Sequence, residues 1–142
     1  MPDPGGTVLS FDCGLKYIGV AIGQRITGTC RPLQTIRAHT RKARWQAVEQ
    51  LLREWDPELL VVGLALASDG SDQETTRQCR NFAQFLASRT GLDTALVDER
   101  YTSLEADLHL RQQGVRRKER AEQEHAEAAA LILRSYLESH PL

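Results

Sequence analysis

The chain has 142 residues, 41% of them hydrophobic and 26% charged, with a formal net charge of −1. This is an ordinary soluble balance, long enough for one domain with a real core, and it excludes a protein that holds nucleic acid by bulk charge alone. No apolar stretch approaches the roughly 20 residues of a membrane helix, and Cys13, Cys30 and Cys79 lack C-x-x-C spacing, so an odd thiol count without a leader pattern suits a reducing, cytosolic setting.

Val8-Leu9-Ser10-Phe11-Asp12 is a short apolar run ending in an acid. Cys13-Gly14-Leu15-Lys16 follows, then a second apolar run from Tyr17 to Ile22. The pattern predicts strand, tight turn, strand, paired as a hairpin. A third strand is predicted over Thr29 to Ile36, where Pro32 favours an edge position. From Arg41 to Trp55, the residues Trp45, Val48, Leu52 and Trp55 recur at helical spacing, and Asp56-Pro57 stops that helix. Both tryptophans read as core residues rather than base-stacking platforms. Leu59 to Leu66 is apolar on both faces, as a central parallel strand is. Ser71-Asp72-Gln73-Glu74 reads as a capping box that opens a helix carrying Cys79, Phe82, Phe85 and Leu86, with Gly91 as its C-cap. Thr94 to Asp98 is a short strand ending in an acid. Thr102-Ser103-Leu104-Glu105 reads as a second capping box, and Gly114 as a second C-cap. The basic stretch from Arg116 to Arg120 reads as a mobile loop. The last helix holds Ala128, Ala129, Ile132, Leu133, Tyr136 and Leu137 on one face, with Pro141 beyond it.

Three antiparallel strands followed by alternating helix and strand predict one α/β domain over residues 1–142. Its sheet is mixed and five-stranded, three antiparallel strands then two parallel, flanked by helices. Ligands bind such sheets at the C-terminal ends of the parallel strands. Asp12 ends the first strand there, and Asp98-Glu99-Arg100 ends the last. Strands one, four and five are expected to be neighbours, so these acids converge. Converging carboxylates repel one another unless a cation lies between them. Hard oxygen ligands suit Mg²⁺ or Mn²⁺, and two such ions about 4 Å apart support phosphodiester hydrolysis. The competing reading has Asp98 capping a turn and Glu99 paired with Arg100. Lys16 and Arg100 stand beside the acids and suit a phosphate. Arg25, Arg31, Arg41, Lys42, Arg44, Arg111, Arg116, Arg117, Lys118 and Arg120 supply further cations, most of which suit an ordinary solvated surface equally well. Cys13 has no activating base near it in sequence and reads as a structural thiol.

Four segments carry a resemblance. Leu9 to Ala21, with Asp12, Gly14, Lys16 and Gly19, resembles the opening motif of the YqgF family. Val61-Val62-Gly63-Leu64-Ala65-Leu66 with Asp69-Gly70 resembles its second motif. Asp98-Glu99-Arg100-Tyr101-Thr102-Ser103 with Glu105-Ala106 resembles its third, and Ala128-Ala129 through Ile132-Leu133 to Tyr136-Leu137 its closing helix. The motifs run in order from about residue 8 to 137. The resemblance implies a ribonuclease H-like fold. It implies a metal-dependent nuclease, described for the family either as maturing the 5′ end of pre-16S rRNA or as resolving Holliday junctions. It makes Asp12 the first-strand catalytic acid and places Asp98 and Glu99 in the second acidic motif. Successive strand residues face opposite ways, so one of those two is the ligand. Glu99 is favoured, giving Asp12 and Glu99 as the metal pair. The family's aspartate on the last helix falls at His125, which shares a helical face with residues 129 and 132. A histidine there can bind Mn²⁺ through nitrogen or shuttle a proton; Glu122 or Glu124 can substitute as the ligand; or His125 is a surface residue and the third ligand is absent. Ala65 and Cys13 also depart from the family pattern, as packing changes. The expected partner is nucleic acid, precursor rRNA or branched DNA, with no membrane. The expected oligomeric state is a monomer or a weak dimer. A catalytically impaired nucleic-acid-binding protein of the same fold is the alternative that His125 keeps open.

Overall fold

The computed structural model describes residues 6–14, 16–37, 39–99 and 117–140, with side chains from 123 onward in the last of these stretches. Strands β1 (Thr7–Cys13), β2 (Tyr17–Gln24) and β3 (Thr29–Arg37) form an antiparallel meander. Helix α1 (Arg41–Trp55) leads to β4 (Leu59–Leu64), helix α2 (Glu74–Thr90) leads to β5 (Asp93–Asp98), and helix α3 (Arg117–Ser139) follows. The sheet order is β3-β2-β1-β4-β5, with β4 parallel to β1 and β5 parallel to β4. This is the mixed sheet that the apolar runs predict, with β1 central and β3 at an edge.

All seven residues of β1 are buried, because helices cover both faces of the sheet. The pleat sorts them. Leu9, Phe11 and Cys13 join a core with Val48 and Leu51 of α1 and Cys79, Ala83 and Leu86 of α2. Val8 turns the other way, into a second core with Ala129, Ile132 and Leu133 of α3. Ser10 shares that second face, and its hydroxyl donates to the Ala129 carbonyl at 2.7 Å. Helix α3 comes very close to β2. A Cβ built at Gly19 would lie 1.8 Å from the His125 carbonyl oxygen, so no larger residue fits without moving the helix.

Local chemistry sets the element ends. The Thr40 side chain accepts from the Ala43 N–H at 3.0 Å and starts α1. Asp56, left-handed at φ 46°, ends it, as the Asp-Pro pair predicts. Pro32 sits at a register shift. Val20 pairs with Gln34 and Ala21 with Pro32, so Leu33 is an extra residue on the edge strand.

Three expectations are corrected. Helix α2 is capped at Gln73, not Ser71, and the Gln73 N–H donates to Thr76 Oγ1 at 2.9 Å. Asp69 Oδ1 takes both the Ser71 N–H (2.9 Å) and its hydroxyl (2.6 Å), which keeps Ser71 in the preceding turn. Strand β4 ends at Leu64 rather than Leu66. The basic stretch read as a loop is helical from Arg117 onward; Arg, Lys, Glu and Ala are all good helix formers. The second capping box at Thr102 to Glu105 and its C-cap at Gly114 lie outside the described residues.

Candidate active site

Asp12 is the sixth residue of β1 and points to the α3 side, two residues beyond Ser10. It is 6% exposed. Glu99 follows the last residue of β5, and its N–H donates to the Leu64 carbonyl at 3.0 Å. That bond carries the β4–β5 ladder one residue past the strand end and so fixes which neighbour turns inward. Glu99 is buried, 8% exposed, while Asp98 is exposed. The space for the Glu99 carboxylate comes from Gly63 on β4, where a Cβ would lie 2.6 Å from Glu99 Oε2.

The carboxyl groups of Asp12 and Glu99 are in hydrogen-bond contact. Burial first, then the charge and hydrogen bond of Asp12, and then the charge of Asp98 push the Glu99 carboxyl up from 4.5 to about 10. Its Oε2 atom is buried and has no partner among the described residues. Two buried carboxylates in contact cannot both ionise without compensation, so near neutral pH this pair shares a proton or accepts a cation.

Helix α3 supplies the third side of the site. Its His125 places Nδ1 3.7 Å from Asp12 Oδ2, with the side chain 31% exposed. The imidazole stacks on Tyr17, centroids 5.0 Å apart at 26°. Arg44 of α1 reaches the same edge, its Nη2 donating to the Gly14 carbonyl at 2.7 Å. Lys16 is exposed in the β1–β2 turn beside it. Glu124 is half-buried and faces an adjacent position on α3. The side chain of Glu122, and Arg100, Arg111 and Arg116 entirely, lie outside the described residues. Arg25 does not join the site. It pairs with Glu58 at 3.3 Å, at the opposite end of the sheet, where Arg31 also packs, over Trp55.

Cys13 neighbours Asp12 in sequence and faces away from it in space. Burial, then the charge of Cys79, push its thiol up to about 12. Cys79 Sγ donates to the Cys13 carbonyl at 3.4 Å. Both thiols are packing groups, not nucleophiles. Gly63 and Tyr17 are site residues that spacing does not single out. A glycine inside an otherwise apolar strand does signal a close approach, so Gly63 has a sequence mark. Tyr17 has none.

The family model described as RuvX: Holliday junction resolvase matches residues 6–139. The chain belongs to the RuvX family. A relative from Edwardsiella ictaluri, provisionally named pre-16S rRNA nuclease, is 47% identical over 133 residues, which cover 94% of this chain and 95% of the relative. A relative of the same name from Escherichia coli strain SE11 is 45% identical, covering 94% and 96%. RuvX membership makes the chain a nuclease, a hydrolase of phosphodiester bonds. Among solved structures, Thermus thermophilus RuvC in complex with a Holliday junction superposes with a TM-score of 0.59 at 15% identity, covering 94% of each chain. The Fowlpox virus resolvase bound to junction DNA gives 0.56 at 11% identity, covering 94% and 97%. Likeness at that identity speaks for the fold, which is ribonuclease H-like. No helix among the described residues is long and apolar enough to cross a membrane.

Proposed function

We propose that this RuvX-family chain is a divalent-metal-dependent nuclease that matures the 5′ end of pre-16S rRNA in the cytoplasm. The Asp12–Glu99 pair carries the reading. A carboxyl held up at about 10 by its burial first and then by a carboxylate neighbour, with one oxygen lacking a partner among the described residues, is an incomplete arrangement without a cation. Hard oxygen donors fit Mg²⁺ or Mn²⁺, so Asp12 and Glu99 would hold the ion and His125 would add a nitrogen donor. The ion supplies an activated water and charge neutralisation at the leaving oxygen.

The chain's own groups do the rest. Glu99 would lose its proton to solvent on holding the ion, and the backbone bond from Glu99 to Leu64 keeps its carboxylate beside Asp12. Asp98, exposed on the opposite side of the strand, serves as a further negative charge and not as a ligand. Lys16, and by its place in sequence Arg100, hold the phosphate. The Ser10 bond to Ala129 anchors α3 against β1 beside the site. The rRNA substrate rests on the relatives' name.

A second reading is favoured by the family description and by the likeness to junction-bound resolvases: cleavage of a four-way DNA junction. It shares the chemistry and requires a symmetric dimer that cuts two strands. Both readings are tested by incubating the purified chain with precursor rRNA and with a four-way DNA junction, in Mg²⁺ and in Mn²⁺. We expect RNA cleavage that Asp12→Asn lowers at least a thousandfold while RNA binding persists. Undiminished cleavage by Asp12→Asn would overturn the assignment of the site, and preferential cleavage of the junction by a dimer would establish the second reading.

A further inference from the structure

Tyr17 opens β2, and the register sets it opposite Arg37, the last residue of β3. The Arg37 guanidinium carbon lies 5.4 Å from the Tyr17 ring centroid, and Arg37 Nη2 donates to the Tyr17 hydroxyl at 3.2 Å. The same ring stacks on His125. Tyr17 therefore ties the end of the edge strand to His125 on α3. Its aromatic surface is occupied by protein groups, which leaves little of it for a nucleobase.

His125 needs that tie. Gly19 fixes its backbone, because the His125 carbonyl sits where a β2 side chain would otherwise be. Its ring, at 31% exposure, has solvent beside it and no hydrogen bond to Asp12: the Nδ1–Oδ2 separation is 3.7 Å. That distance is too long for a hydrogen bond. The two atoms are near enough that both would serve as donors to one divalent cation. A histidine that ligates a metal ordinarily has its ring orientation fixed by a neighbouring group. Among the described residues, an aromatic face is the neighbouring group in contact with this ring.

We propose that Tyr17 is a positioning residue that holds the His125 imidazole toward Asp12, and so biases this site toward a cation that accepts a nitrogen ligand, Mn²⁺ over Mg²⁺. The inference rests on the metal centre proposed above. It is tested on the full chain by calorimetric titration with Mn²⁺ and Mg²⁺, and by electron spin-echo detection of nitrogen coupled to bound Mn²⁺. The wild-type chain shows nitrogen coupling, which His125→Ala removes. Tyr17→Ala weakens Mn²⁺ binding about tenfold, changes Mg²⁺ binding less than twofold and loses the coupling. Tyr17→Phe, which keeps the ring, retains the coupling. If Tyr17→Ala fails to fold, as judged by its melting curve, Tyr17→Leu fills the volume without an aromatic face and gives the same result. Unchanged coupling and affinity in the folded Ala or Leu variant would overturn the role of Tyr17, as would wild-type Mn²⁺ binding without nitrogen coupling. A wild-type chain that binds no divalent ion at all overturns the metal centre as well.

Discussion

The two faces of β1 are built differently although they belong to the same seven residues. Toward α1 and α2, the strand presents Leu9, Phe11 and Cys13 to a core of large apolar side chains, where Phe11 meets Phe82 edge-on at 5.5 Å. Toward α3 it presents Val8 to a core with Ile132 and Leu133, and Ser10 and Asp12 to a stretch where small residues gather, with Gly19 and Ala21 on β2, Gly63 on β4 and Ala129 and Ala130 on α3. The first face stabilises by bulk. At its site end the second gives up bulk for close backbone approach, at Gly19 and Gly63, and the space so gained admits two carboxylates and an imidazole. Strand alternation thus separates stability from chemistry one residue apart, which is why Cys13 and Asp12 can be neighbours with unrelated roles.

Substitutions can break this contrast. Phe11→Ala on the bulky face is expected to cost about 4 kcal/mol of unfolding free energy, measured by urea denaturation, with the cleavage rate per folded molecule unchanged within twofold. Gly19→Ala on the close-approach face is expected to cost about 3 kcal/mol, because the added methyl meets the His125 backbone and α3 has to move with it. That shift moves His125, so activity per folded molecule should fall at least tenfold. Equal activity in the two variants would remove the functional distinction between the faces.

A smaller effect sharpens the contrast through pH. The Glu99 carboxyl lies at about 10 in the folded chain against an ordinary 4.5. The unfolded chain therefore releases this proton near pH 4.5 while the metal-free folded chain keeps it. Its contribution to stability is complete below about pH 4.5 and is lost as pH rises toward 10. The melting temperature of the metal-free chain should decline between pH 5 and pH 9, and Glu99→Gln should flatten that decline. A slope that is unaltered in Glu99→Gln would assign it to other groups.

Much of this was legible in the sequence, for physical reasons. Apolar runs of strand length, the Asp-Pro stop at residues 56 and 57 and the glycine at 91 each encode an element boundary locally. Asp12 at a strand end pointed, for the same reason, to the sheet edge where the structure brings Glu99 and His125 beside it. The choice between Asp98 and Glu99 was not local. It depends on a single ladder bond from Glu99 to Leu64, on another strand. The α2 cap moved from Ser71 to Gln73 because Asp69 competes for the Ser71 hydroxyl, a contest that a spacing rule does not weigh. The Tyr17–His125 stack joins the second strand to the last helix, and no pattern within either segment announces it.

The central claim is that Asp12 and Glu99 form one cation site. Calorimetric titration of the wild-type chain with Mn²⁺ at pH 7, repeated in buffers of different ionisation enthalpy, tests it most directly. Binding should release about one proton per chain, because Glu99 is protonated before the ion arrives, and Asp12→Asn should abolish the binding. Binding without proton release, or binding that survives Asp12→Asn unchanged, would contradict the account.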